Sequence, residues 1–164
     1  MKAPGKPSRG RGAARAKARS FARLGAIQAL YQMDIAETDM GAVCAEFEAH
    51  RLGRDAEGKE IGPADAAFFR DLVTGVVREQ RRLDPDIDRH LAEGWRLTRI
   101  DSTLRAILRA GAYELGFRRD VPVRVVLDEY VELAHAFFDG EEPGVVNGVL
   151  DKIARRVRAD EFAA

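Results

Sequence analysis

From Val123 onward the apolar residues Val123, Val126, Leu127, Tyr130, Ala134 and Phe137 fall at offsets 0, 3, 4, 7, 11 and 14. Only the 3.6-residue turn of an α-helix gathers such a series on one face. The same period recurs along the chain. Leu24, Ile27, Leu30 and Tyr31 mark a first helix running from about Ala14. Gly41 signals a turn, after which Val43, Phe47 and Leu52 define a shorter second helix. Residues 53–62, rich in glycine and charge, read as an exposed loop. Pro63 suits the first turn of a third helix, where its missing N–H costs nothing, and Phe68, Phe69, Leu72, Val73, Val76 and Val77 give that helix a wide apolar stripe. Asp84-Pro85 reads as the start of a short fourth helix with Ile87 and Leu91. Thr98 or Asp101 caps a fifth, Pro122 restarts the chain into a sixth, and Pro143 opens a seventh with Val146, Val149, Leu150 and Ile153. The β-branched run around Val121 to Val126 flows into a helical pattern, and strict alternation persists nowhere else. The chain is predicted to be all-α, a bundle of about seven helices.

At 164 residues the chain fits one domain, long enough to bury roughly 70% of its unfolded surface without a metal or disulfide staple. The lone Cys44 cannot form an internal disulfide, suits a reducing cytosol, and reads as a small buried hydrophobe. No apolar run approaches the 18 to 20 residues, roughly, that a membrane span requires. The basic N-terminus has no apolar stretch behind it to make a secretory signal, and the chain is expected in the cytoplasm; an Arg-rich mitochondrial presequence is the minor alternative.

The formal net charge of zero conceals an asymmetry. Through Arg23 the chain carries eight Lys or Arg and no acid, and the first acid is Asp34; the remainder holds 19 bases against 27 acids. Residues 1–13, rich in Gly, Pro and base, are expected to form a flexible arm ahead of a single helical domain over residues 14–164. A basic arm on an acidic body suits a nucleic-acid ligand, although a solvated tail has the same composition. Arg15, Arg19 and Arg23 are spaced four apart, so a helix aligns all three on one face, flanked by Lys17 and Arg11. Such a row can grip phosphates; the bland alternative is a solvated helix face. Just beyond it, Gln28 can read a base edge and Tyr31 can stack a base, unless Tyr31 belongs to the core stripe.

Five segments resemble the NusB family of antitermination factors: Ala26-Ile27-Gln28-Ala29-Leu30-Tyr31; Phe69 through Val76; Leu108 through Leu115 followed by Asp120-Val121-Pro122; Asp128-Glu129 with Glu132-Leu133-Ala134; and Val146 through Asp151. They run in the family's order across residues 19–154. The resemblance implies two antiparallel helical sub-bundles, the first ending near Trp95. It also implies binding of boxA-type single-stranded RNA together with NusE, a small-subunit ribosomal protein, and action on the RNA polymerase antitermination complex in ribosomal RNA operons. RNA contacts are then expected at Arg15, Lys17, Arg19, Arg23, Gln28 and Tyr31. Some family members self-associate, so a homodimer stays open. Where many members carry an aromatic residue near the RNA, this chain has Val145, which offers no stacking platform. Asn147 is read as locally bonded and Gly148 as a point of close helix approach.

The acids Asp101, Glu129 and Glu132, with Asp128, can meet a basic protein partner, though a solvated face accounts for them equally well. Glu132 and His135 form one Glu-x-x-His pair, whereas di-iron bundles need two pairs and two further glutamates. No metal, cofactor or catalytic residue is expected, and the chain is read as a binding protein rather than an enzyme. Two rivals are the accessory domain of an RNA-modifying methyltransferase, for which no cofactor-binding domain follows, and a helical DNA-binding regulator.

Overall fold

The computed structural model describes residues 9–55 and 57–163. They form six α-helices: α1 (Arg9–Ala36), α2 (Met40–Glu46), α3 (Ala66–His90), α4 (Ser102–Phe117), α5 (Val123–Phe137) and α6 (Glu142–Val157). A π-helical turn, Phe47–Arg51, continues α2, and a 3-10 turn, Ala159–Glu161, follows α6. The only extended pairing among the described residues is an isolated bridge between Arg54 and Glu60. α1 begins at Arg9, inside the segment expected to be a flexible arm; the rest of that arm, residues 1–8, lies outside the described residues.

α4 is the hub, packing against α1, α3, α5 and α6. Its Ile107, Leu108, Ala110 and Leu115 are fully buried, and each such leucine or isoleucine contributes roughly 1.5–3 kcal/mol relative to exposure. The chain passes from α1–α3 to α4–α6 through residues 91–101, where the Leu97 N–H donates to the Asp88 carboxylate at 3.0 Å. Aspartates start three helices by accepting from orphan N–H groups. Asp39 takes Ala42, Asp65 takes Phe68, and Asp101 takes Thr103 and Leu104.

The expected third and fourth helices are one. α3 runs through Pro85 to His90. Proline cannot donate to the carbonyl four residues back, yet Leu83 and Ile87 on either side are buried, and Asp84 accepts two hydrogen bonds from Arg109 of α4 at 2.8 Å each. Tertiary packing outweighs one missing bond. The helix starts at the Asp65 cap rather than at Pro63. Likewise the turn expected at Gly41 falls just ahead of it, where Glu37 adopts φ 49° before the Asp39 cap. The loop after Leu52 closes on Gly53, whose φ of 74° and position 2.2 Å from the Gly62 carbonyl oxygen, measured from where a Cβ would sit, exclude a side chain.

Arg158, entirely buried, closes the C-terminal end of α4. Its guanidinium donates to the carbonyls of Glu114, Leu115, Arg118 and Val121 and to the Glu161 carboxylate. Those carbonyls belong to a helix end and its turn, and those of Glu114 and Arg118 also accept the N–H groups of Arg118 and Val121, so one cation adds a C-cap to a buried corner. Glu161 in turn accepts from the Val123 N–H at 2.9 Å, starting α5, whose Pro122 offers no side-chain cap.

Candidate nucleic-acid interface

α1 is 28 residues long, and its exposure changes along its length. Residues 10–17 are exposed, so the first turns carry Arg11, Arg15 and Lys17 at the surface, with Gly12, Arg15 and Ala16 beside the α4–α5 turn. From Ala22 the helix sinks: Ala22, Ala26, Ile27, Ala29 and Leu30 are buried against α3 and α4.

The three arginines therefore descend a ramp rather than lining one surface. Arg15 is exposed. Arg19 is three-quarters covered, donating to Asp120 at 3.3 Å and lying 3.9 Å from Asp65. Arg23 is 2% exposed and grips Glu114 through two hydrogen bonds of 2.8 and 2.9 Å. The expectation that Arg23 meets RNA is corrected by this placement: the interior holds its charge, and a phosphate cannot reach it. The four-residue spacing does align the three guanidiniums, but the helix tilts inward beneath them.

Arg23 anchors a buried polar network. Glu114 also accepts from the Tyr130 hydroxyl, and Glu129 lies 3.5 Å from Arg23 while accepting from Ser20 at 2.6 Å. Burial pushes the Tyr130 hydroxyl well above its usual pKa, and the Glu114 charge adds to the shift. Burial opposes the charged form of Arg23, but the hydrogen bonds and charge of Glu114 outweigh it and raise its pKa. Outside this network the Phe68 ring lies beneath three guanidiniums, those of Arg19 at 4.6 Å, Arg118 at 4.9 Å and Arg23 at 5.0 Å. Arg118 also holds Asp120, whose pKa falls below its usual value because the Arg118 hydrogen bond and charge overcome burial.

Further along α1, half-buried Gln28 and exposed Tyr31 line a groove of about 340 Å³ with Ile35, Arg51 and Phe137. Tyr31 is 38% exposed, so it borders this groove instead of belonging to the core, and Ile35 and Phe137 are open beside it. At the turn between α5 and α6, Val145 and Asn147 line a wider cleft of about 760 Å³ with His90, His135 and Lys152. A Cβ on Gly148 would meet open space, so the close helix approach expected there does not occur; Gly111 is where it does, with Leu150 at 2.6 Å.

Two acids expected at a protein interface have internal duties. Asp101 caps α4, and Glu129 belongs to the network around Arg23. Glu132 is exposed. Cys44 is buried, and that burial raises its thiol pKa. Among the described residues no three His, Cys, Asp or Glu side chains group to hold a metal, and no helix is long and apolar enough to cross a membrane.

Periodicity marks Phe68 as a stripe residue but gives no sign of the guanidiniums over its ring. It gives none of Arg158 either, whose carbonyl partners lie 37 to 44 positions back.

Comparison with known proteins places this geometry in context. A family model described as the NusB family matches residues 20–155. The transcription antitermination protein NusB of Rhodopseudomonas palustris strain BisB18 is 58% identical over 153 residues, covering 93% of this chain and 90% of that protein. That of Nitrobacter hamburgensis is 61% identical over 149 residues, covering 91% and 93%. Among solved structures, T. maritima NusB superposes with a TM-score of 0.70 at 27% identity over 99% of both chains. A structure described as antitermination factors NusB and NusE in complex with dsRNA gives 0.68 at 27% identity, covering 85% of this chain and 98% of that one.

Proposed function

Because the chain belongs to the NusB family, we propose that it is a transcription antitermination factor that holds boxA-type single-stranded RNA on α1 while the ribosomal protein NusE binds beside it. The observation that carries the reading is the start of α1, where Arg15 and Lys17 are exposed and the same helix leads to the Gln28–Tyr31 groove. A single strand needs both features: cations for its phosphates, and an edge-reading amide beside an aromatic ring for its bases. The solved complex of a 27% identical relative with NusE and dsRNA supports NusE and RNA as the partners.

In this reading Arg15, Lys17 and Arg19 supply the charge. Arg19 is pre-oriented by Asp120 and the Phe68 ring, while Arg23 fixes the helix from within. Of the four candidate acids, Asp128 and Glu132, both exposed on α5, are the ones open to a basic partner. No bond is made or broken: occupancy of the RNA recruits NusE and connects the transcript to RNA polymerase in the cytoplasm.

The test is a titration of boxA RNA with the full chain, alone and with NusE, for wild type and for Arg15→Ala, Lys17→Ala and Arg19→Ala. Weaker binding by each variant supports the reading, and equal affinity across the series refutes it. Duplex DNA bound in preference to the RNA would instead favour a DNA-binding regulator.

A further inference from the structure

The C-terminal half of α3, the last turn of α4 and the last turns of α6 enclose a groove of about 340 Å³ that the reading above does not use. Arg82, Arg89, Arg119 and Arg156 line it, Asp86 is the one acid among its lining residues, and Phe117 forms part of its wall. Asp86 is largely covered, whereas each of the four arginine side chains is more than half exposed. Arg89, at 2.7 Å, and Arg156 share that single carboxylate. Glu79, itself largely covered, reaches Arg82 at 3.5 Å, and Asp160 reaches Arg119 at 3.6 Å in an open, solvent-screened pair that a phosphate can replace.

Phe117 distinguishes the groove from a merely basic patch. It is partly exposed, stacks on Tyr113 with centroids 5.1 Å apart, and has the Arg82 guanidinium 5.8 Å from its own centroid. An aromatic ring braced from beneath and bordered by arginines is the arrangement on which single-stranded bases stack while their phosphates are neutralised. An acidic peptide would use the cations and leave the ring without purpose.

The groove and the α1 surface meet the same α4–α5 turn. Adjacent residues of the α4–α5 turn face both: Asp120 holds Arg19, while Arg119 lines the groove. We propose that this groove is a second segment of the RNA path, taking nucleotides that lie beyond those held on α1. The proposal rests on the reading of α1 as an RNA surface.

The test uses the full chain with NusE and two probes: a boxA RNA of about 8 nucleotides, and the same RNA extended at either end by about 8 uridines. One of the extended RNAs is expected to bind about 10-fold more tightly than the short one, with a salt slope steeper by about 1.4 for two added phosphate contacts. The double variant Arg82→Gln/Arg89→Gln removes most of that gain while binding the short RNA as wild type does, and Phe117→Leu removes part of it. A 4-thiouridine in the extension crosslinks to the wild-type peptide containing Phe117, a readout independent of any effect of substitution on folding. Extended RNAs that bind no better than the short one, a double variant that retains the gain, a crosslink elsewhere, or stronger competition by polyglutamate than by oligouridine of equal charge would each overturn the proposal. Arg15→Ala weakens both RNAs if α1 is an RNA surface; unchanged binding of the short RNA by that variant would refute the α1 reading instead.

Discussion

The Arg23 guanidinium meets the Glu114 carboxylate edge to edge across the α1–α4 interface, Nε to Oε2 at 2.8 Å and Nη2 to Oε1 at 2.9 Å. Both side chains are excluded from solvent. Removing one partner leaves a buried charge uncompensated, which costs about 3–5 kcal/mol, whereas apolar replacement of a whole buried group can be close to neutral. Arg23→Met should therefore lower the urea midpoint sharply. Adding Glu114→Met and Tyr130→Phe should recover most of the loss, and a triple variant as unstable as the single one would contradict this account.

Exposure along α1 predicts a graded RNA phenotype. Each phosphate contact to a single strand contributes about 0.7 to the slope of log K against log salt. Arg15→Ala and Lys17→Ala should each flatten that slope by about this amount, measured by anisotropy from low to high salt. Arg23→Met, assayed where it remains folded, should leave the slope unchanged.

Two glycines at helix contacts should respond differently to alanine. A Cβ on Gly75 would fall 2.1 Å from Cζ of Tyr113, a ring further held by hydrogen bonds to Asp71 and Arg78. On Gly111 it would meet the ends of the Leu150 side chain, which can rotate. Overpacking costs about 1–3 kcal/mol, so Gly75→Ala should sit at the upper end and Gly111→Ala below it in thermal denaturation. The reverse order would show the Tyr113 ring to be the more yielding neighbour.

Pro85 is exposed inside α3 and lacks the N–H that would bond four residues back. Pro85→Ala restores that donor where the helix already has its course, and should stabilise the protein by about 1–3 kcal/mol. A lower melting temperature for the variant would mean that the proline shapes the helix.

Glu161 links stability to acid. The Val123 N–H and then Arg158 favour its ionised form and lower its pKa below the usual 4.5. The folded state thus prefers the carboxylate: the contribution is complete above the ordinary carboxylate range and fades as pH falls through the lowered value. Glu161→Gln should cost about 1 kcal/mol at pH 7, the scale of a helix N-cap, and the difference from wild type should shrink as acid protonates the wild-type carboxylate. A difference that persisted at low pH would assign the effect to packing.

The α-helical class and most helix positions were legible because amphipathic periodicity is local. Two expectations failed for a common reason, the outweighing of local signals by distant partners. Asp84-Pro85 resembles a helix start, yet Arg109, twenty-five positions on, holds Asp84 within a continuing helix. The four-residue arginine spacing is a sound helix pattern, but the partner that claims Arg23 lies ninety-one residues away. Tyr31 was ambiguous in sequence because an aromatic at stripe spacing suits both a core and its rim, and only the packing of α1 against its neighbours resolves the choice. The basic groove around Phe117 escaped notice because its arginines come from α3, α6 and the α4–α5 turn, far apart in the chain.

The guanidinium of Arg158 fastens the corner between α4 and α5, and that corner presents Asp120 to the first helix. A cut after Val157 would consequently be felt at the opposite extremity of the polypeptide, loosening the anchor of Arg19 without altering any residue proposed to touch a ligand. The carboxy-terminal turn works as a keystone: a short piece, added last, on which the alignment of the entrance depends.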